Sequence, residues 1–168
     1  MLRKYEYRRC LPHYQPDFKI FFVTFCTYQR GQLSERARKI VLEVRLRGNG
    51  VLFELLATVV MPDQVHLALN PLSRSEGIIC LPEIIEAITS TSAHRINREL
   101  GFRRTVWQPE SLDRALRREE QLGDKIDYML ENPVRAGLVK NPTDYRWIWR
   151  KTEGWETAHL QKRGIVRR

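Results

Sequence analysis

Apolar residues recur along this chain with two different periods, and the change from one to the other marks its elements. From Lys19 to Tyr28 the run Lys-Ile-Phe-Phe-Val-Thr-Phe-Cys-Thr-Tyr is so rich in β-branched and aromatic residues that it predicts a central strand. Ser34 then stands where it can cap a helix with Ala37, Ile40, Val41 and Val44 at helical spacing and Gly48-Asn49-Gly50 as its stop. A second strand is predicted from Val51 to Val60. Pro62-Asp63 turns the chain, and from Gln64 the period is two: Gln64, His66 and Ala68 face one way, Val65, Leu67 and Leu69 the other. These two strands read as an antiparallel hairpin.

After a loop from Asn70 to Cys80, Pro82 suits the first turn of a helix that buries Ile84, Ile85, Ile88, Ile96 and Leu100 and stops at Gly101. Phe102 to Trp107 reads as a short strand. A third helix, about Arg118 to Glu131, carries the stripe Leu122, Ile126, Met129 and Leu130, and Asn132-Pro133 is expected to end it. Strand, helix, hairpin, helix is the order of an α+β, ferredoxin-like antiparallel sheet with helices packed on it. The tail then carries Tyr145, Trp147, Trp149 and Trp155.

A chain of 168 residues fits one domain able to bury a core without disulfides, here residues 1–168 with a basic arm at 1–17 and a basic tail at 150–168. Cys10, Cys26 and Cys80 show no ligand spacing and are expected as reduced thiols in a cytoplasmic protein. No apolar run is long enough for a membrane span, and no secretory signal follows the basic start. The net charge of +9, from 29 Lys and Arg against 20 Asp and Glu, points to a polyanionic partner, of which nucleic acid is the commonest. Arg95, Arg98, Arg103, Arg104, Arg114, Arg117 and Arg118 form the densest basic cluster, and most salt-sensitive affinity is expected there.

Two places hold candidate chemistry. Gln64 and His66 project side by side from one strand, roughly 7 Å apart at their roots, close enough to converge on one ion or one phosphate. A histidine hydrogen-bonded on a polar sheet face is the plainer reading. On the third helix Tyr128 lies about 145° from the centre of the apolar stripe and shares a face with Gln121, Lys125 and Asn132. That setting suits a phenolic nucleophile, and equally a tyrosine packed on the tail or half exposed.

The residues also carry a family resemblance. Val59-Val60-Met61-Pro62-Asp63-Gln64-Val65-His66-Leu67 resembles the metal-site strand of the HUH single-tyrosine transposases, and Tyr128-Met129-Leu130-Glu131-Asn132-Pro133-Val134-Arg135-Ala136-Gly137-Leu138-Val139 resembles the helix end bearing their tyrosine. Leu11-Pro12-His13-Tyr14-Gln15-Pro16, Phe21 to Phe25, Ser92 to Asn97, Val106-Trp107-Gln108 and Asp144 to Trp147 follow in matching order, most like the REP-associated branch. The resemblance implies the HUH endonuclease fold and a nuclease that cuts single-stranded DNA at the foot of a hairpin through a 5′-phosphotyrosine. It implies Tyr128 as nucleophile, His66, Gln64 and Asn132 around a divalent metal, Lys125 as phosphate support, and a monomer or homodimer. One imidazole and two carboxamides would favour Mg²⁺ or Mn²⁺ over zinc. A phenol of pKa near 10 is ionised to about one part in a thousand at neutral pH, so its attack needs nearby positive charge.

The chain departs from the family pattern where Gln64 replaces the first histidine, where Thr89 stands in place of a lysine, and where Ser111-Leu112-Asp113 replaces an aromatic segment. Two readings follow. One is a metal-dependent endonuclease and strand transferase acting on hairpin-bearing DNA. The other is a domesticated relative that binds structured single strands and cuts weakly or not at all. An RNA-binding ferredoxin-like domain is a third.

Overall fold

A computed structural model describes residues 19–117 and 120–152. Strand β1 (Phe21–Thr27) leads through a short 3₁₀ turn to α1 (Glu35–Gly48), where the Ser34 hydroxyl accepts from the Ala37 amide at 3.2 Å. Strands β2 (Phe53–Val60) and β3 (Gln64–Pro71) form the hairpin, followed by a small ribbon of β4 (Ser73–Arg74) and β5 (Gly77–Ile78). Helix α2 (Leu81–Leu100) has Pro82 in its first turn and ends at Gly101, whose φ of 68° is a left-handed cap that a side chain would strain. Then come β6 (Trp107–Ala115), α3 (Leu122–Leu130), the single turn α4 (Asn132–Arg135) and β7 (Ile148–Arg150).

The main sheet runs β6-β1-β3-β2-β7 with every pair antiparallel. Its first four strands, with α1 joining β1 to β2 and α2 joining β3 to β6, make the expected ferredoxin-like α+β fold. Helices α1 and α2 bury Ile40, Val41, Ile84, Ile88 and Ile96 over Val23, Phe25, Val65 and Leu67. On the opposite face Ile126, Met129 and Leu130 of α3 pack over Leu56, Ala57, Val59 and Ala68. Alternation along β3 therefore sends Val65, Leu67 and Leu69 into the first core and leaves Gln64, His66 and Ala68 beneath the α3 layer. A bulge between Leu55 and Ala57 lets both Leu56 and Ala57 join the second core.

Several expectations fail for identifiable reasons. The strand predicted over Phe102–Trp107 lies instead at Trp107–Ala115, where pairing with β1 draws Glu110 and Asp113 into a sheet that their propensities disfavour. Helix α3 begins at Leu122, later than expected, and ends at Leu130, just ahead of Asn132-Pro133 as expected; Pro133 then occupies the first turn of the separate α4, where a missing N–H costs nothing. The start of the tail supplies the fifth strand, with Ile148 opposite Val59. Cys80 is disulfide-bonded where a reduced thiol is expected, while Cys26 is free. The arm at 1–17, residues 153–168 of the tail, and Arg118 lie outside the described residues. Among the described residues no helix is long and apolar enough to cross a membrane.

Candidate active site

His66 sits in the middle strand of the sheet, with Thr24 of β1 on one side and Val59 of β2 on the other. Its Nδ1 is hydrogen-bonded to the Thr24 hydroxyl at 2.8 Å. Its Nε2 is buried and has no partner among the described residues. Burial is the main reason the imidazole pKa falls from 6.5 to about 4; the positive charges of Arg135 and Arg30 lower it further, and Asp63 partly opposes them. The ring is therefore neutral at pH 7. A buried ring nitrogen without a partner costs free energy unless a ligand completes it.

Helix α3 crosses above this strand, and the cavity beneath it, about 370 Å³, is lined by His66, Thr24, Arg114, Lys125, Tyr128, Met129, Asn132 and Arg135, with Phe22 and Val23 at its floor. The side chain at 128 is 67% exposed, which rules out a core-filling role. Its face of the helix is the expected one: Lys125, Tyr128 and Asn132 meet the same cavity, whereas Gln121 does not line it. Arg135 folds back over the phenol, its Cζ 4.0 Å from the ring centroid, and donates to the Tyr128 carbonyl at 2.9 Å and to Asn132 Oδ1 at 3.1 Å. Asn132 in turn donates to the Met129 carbonyl, at 2.6 Å. Glu120 holds both Arg114 and Lys125, the latter at 3.2 Å, so one carboxylate outside the cavity orients two of its cations.

Gln64 points elsewhere. Its Oε1 accepts from Arg30 Nη1 at 3.4 Å, and Arg30 is anchored by Asp63 at 3.1 Å and by Cys26 Sγ at 2.7 Å. Gln29 and Arg30 have φ of 51° and 57°, left-handed values that cost side-chain-bearing residues strain. That strained turn carries Arg30 to the hairpin, and Gln64 is not among the residues lining the cavity around Tyr128. Of the three residues expected around a divalent metal, His66 presents an unpartnered ring nitrogen, while each carboxamide oxygen accepts one bond from an arginine and keeps its second lone pair. Among the described residues no three His, Cys, Asp or Glu side chains cluster as ligands would. The donor set is a poor fit to Mg²⁺ or Mn²⁺, which favour several oxygens and usually a carboxylate.

The arginine cluster of the sequence is divided between the two faces of the sheet. Arg114 joins the Tyr128 cavity, while Arg95 and Arg98 line a groove of about 550 Å³ with Arg47 and His94 on the α1 and α2 side. Arg95 is held by Glu43 at 2.9 Å and Glu99 at 3.1 Å, leaving it little freedom to meet a phosphate. Arg104 stacks on Phe102, and Arg103 and Arg117 are exposed. Sequence reasoning missed Thr24, Arg30, Glu120 and Arg135. Thr24 was findable, since the period of β1 sets it on the face opposite Val23 and Phe25. Arg30 acts through a backbone conformation that its residue type does not advertise.

No protein-family model and no curated protein matches this chain. Among solved structures, it matches the REP-associated tyrosine transposase bound to a REP hairpin with a TM-score of 0.60 at 22% identity, over 94% of this chain and 89% of that one. It also matches a Deinococcus radiodurans R1 protein provisionally assigned as a transposase, at TM-score 0.45 and 21% identity, over 74% of this chain and 96% of that one. The first match shares its fold with this chain, in keeping with the ferredoxin-like strand order.

Proposed function

We propose that this protein is a transposase-like endonuclease and strand transferase that acts on hairpin-bearing single-stranded DNA through Tyr128. The observation that carries the reading is the meeting, in one cavity, of an exposed phenol from α3 and a buried, partnerless imidazole nitrogen from β3, ringed by Arg114, Lys125 and Arg135. Positive lining without carboxylates suits a phosphodiester. The REP hairpin bound to the transposase of like fold supports the same class of partner.

In this reading Arg114 and Lys125 neutralise the phosphate, and Tyr128 Oη attacks phosphorus as the bond to the 3′-oxygen breaks. The phenolic proton passes to the departing 3′-oxygen, directly or through His66 Nε2. With Nδ1–H donating to Thr24, Nε2 keeps the lone pair such a transfer needs. The product is a 5′-phosphotyrosine and a free 3′-hydroxyl. Since the new ester retains the energy of the old one, a 3′-hydroxyl can reverse the step without ATP.

A binding protein without nuclease activity is the second reading, and the position of Gln64, turned away onto Arg30, favours it. Incubating the protein with a labelled hairpin-bearing strand and resolving the products under denaturing conditions separates the two. The expected result is a slow protein–DNA band that disappears in Tyr128→Phe, while that variant keeps its affinity for the strand within about twofold, since a lost hydroxyl contact amounts to little. If the unaltered protein forms no band but binds the hairpin, the second reading stands.

A further inference from the structure

The cations of the Tyr128 cavity stand where the family resemblance calls for a metal. Arg135 is fixed there by three contacts: it donates to Asn132 Oδ1 at 3.1 Å and to the Tyr128 carbonyl at 2.9 Å, and its guanidinium lies 4.0 Å from the centre of the phenol ring. A metal drawing on Asn132 would share Oδ1 with this guanidinium, and one drawing on Gln64 would share Oε1 with Arg30, so either way the dication would sit beside a positive charge. It would also enter a wall lined by Arg114, Lys125 and Arg135 and by no carboxylate, a wall that stays net positive even with Glu120 outside it pairing with the first two. Repulsion from those charges opposes a dication and attracts a phosphate.

We propose that Arg135, in place of a divalent cation, is the group that receives the phosphate beside Tyr128, so that this protein captures its strand without metal. The proposal rests on the reading of Tyr128 as the residue the strand meets. A guanidinium has five N–H donors in a planar fork, and two of them are spent on Asn132 and the Tyr128 carbonyl. Those that remain, on Nε and on both terminal nitrogens, suffice for a two-pronged bond to non-bridging phosphate oxygens. Position also matters. Because the same side chain caps the carbonyl of residue 128 and covers its ring, a phosphate bound to it is held next to the phenol rather than elsewhere on the basic surface.

Two measurements on the full chain test this, neither of which requires cleavage. The first follows the His66 imidazole signals by NMR during titration with Mn²⁺ alone, whose unpaired electrons broaden any nucleus near a bound ion. No saturable broadening is expected; saturable broadening at His66 in the unaltered protein overturns the proposal. The second compares the affinity of a labelled hairpin strand in chelator and in Mg²⁺, on the Tyr128→Phe background. Equal affinities are expected, with a loss of about tenfold in Arg135→Ala, the size of one charge-assisted contact, and partial recovery in Arg135→Lys, which restores charge without the fork. Affinity that depends on Mg²⁺, or that ignores the substitution at 135, overturns it. A failure to form the covalent band leaves both measurements readable and counts against the nuclease reading alone.

Discussion

Removing Arg114 and Lys125 together is the sharpest way to ask whether a DNA strand passes through the Tyr128 cavity. Each phosphate contact with a single strand releases counterions and contributes a slope of about −0.7 to log affinity against log salt. Two independent contacts would therefore contribute about 1.4 to the magnitude of that slope. Glu120 already pairs with both side chains, so they enter the cavity with one net positive charge between them. The slope of Arg114→Gln/Lys125→Gln should accordingly be shallower by between about 0.7 and 1.4. The assay is fluorescence anisotropy of a labelled hairpin-bearing strand over a series of salt concentrations, with Tyr128→Phe as the parent so that no covalent product accumulates. Arg47→Gln/Arg98→Gln removes the same number of charges from the groove on the opposite side of the sheet and should leave the slope unchanged. If the first pair changes the slope by less than about 0.3, below half of one contact, the strand does not use this cavity. If both pairs flatten it equally, only the overall field of the protein attracts DNA, and the site-specific reasoning fails.

Two further outcomes follow from buried charges. Arg45 of α1 is wholly buried, none of its three side-chain nitrogens has a hydrogen-bond partner, and burial lowers its pKa from 12.5 to about 9. Arg45→Met should raise stability by roughly 1–3 kcal/mol in urea unfolding, because an apolar chain of similar length removes an uncompensated charge; a loss of stability would show that the guanidinium has a role its surroundings do not reveal. His66, with its pKa lowered to about 4 in the folded protein against 6.5 unfolded, takes up its proton more readily in the unfolded chain. Its contribution is complete above pH 6.5 and is lost as pH falls through about 4. Unfolding measured across that window should show stability declining with acid, with the decline weaker in His66→Gln, and an imidazole that titrates near 6.5 by NMR would refute the assignment.

How much of this was legible in the sequence depends on which physical force decided each element. Where burial and local chemistry agreed, the pattern was enough: the period of Gln64, Val65, His66 and Leu67 set the faces of β3, Ser34 capped α1, and Gly101 closed α2. The helical period of Leu122, Ile126, Met129 and Leu130 likewise turned Tyr128 away from the core and onto the same cavity as Lys125 and Asn132. Where partners distant in sequence decided the outcome, the pattern was silent. Strand β6 exists because β1 offers it an edge, and β7 because β2 does, although Glu110 and Asp113 argue against the first locally.

The same division governs the site. Residue type announced His66 and Tyr128, yet what each can do is set by arginines whose positions only folding determines. Arg30 reaches Gln64 through two consecutive residues with left-handed backbone, and Arg135 reaches Asn132 from within the short turn α4 that follows the end of α3. The surroundings of the cavity thus depend on these local backbone turns as well as on which residue type stands at position 64.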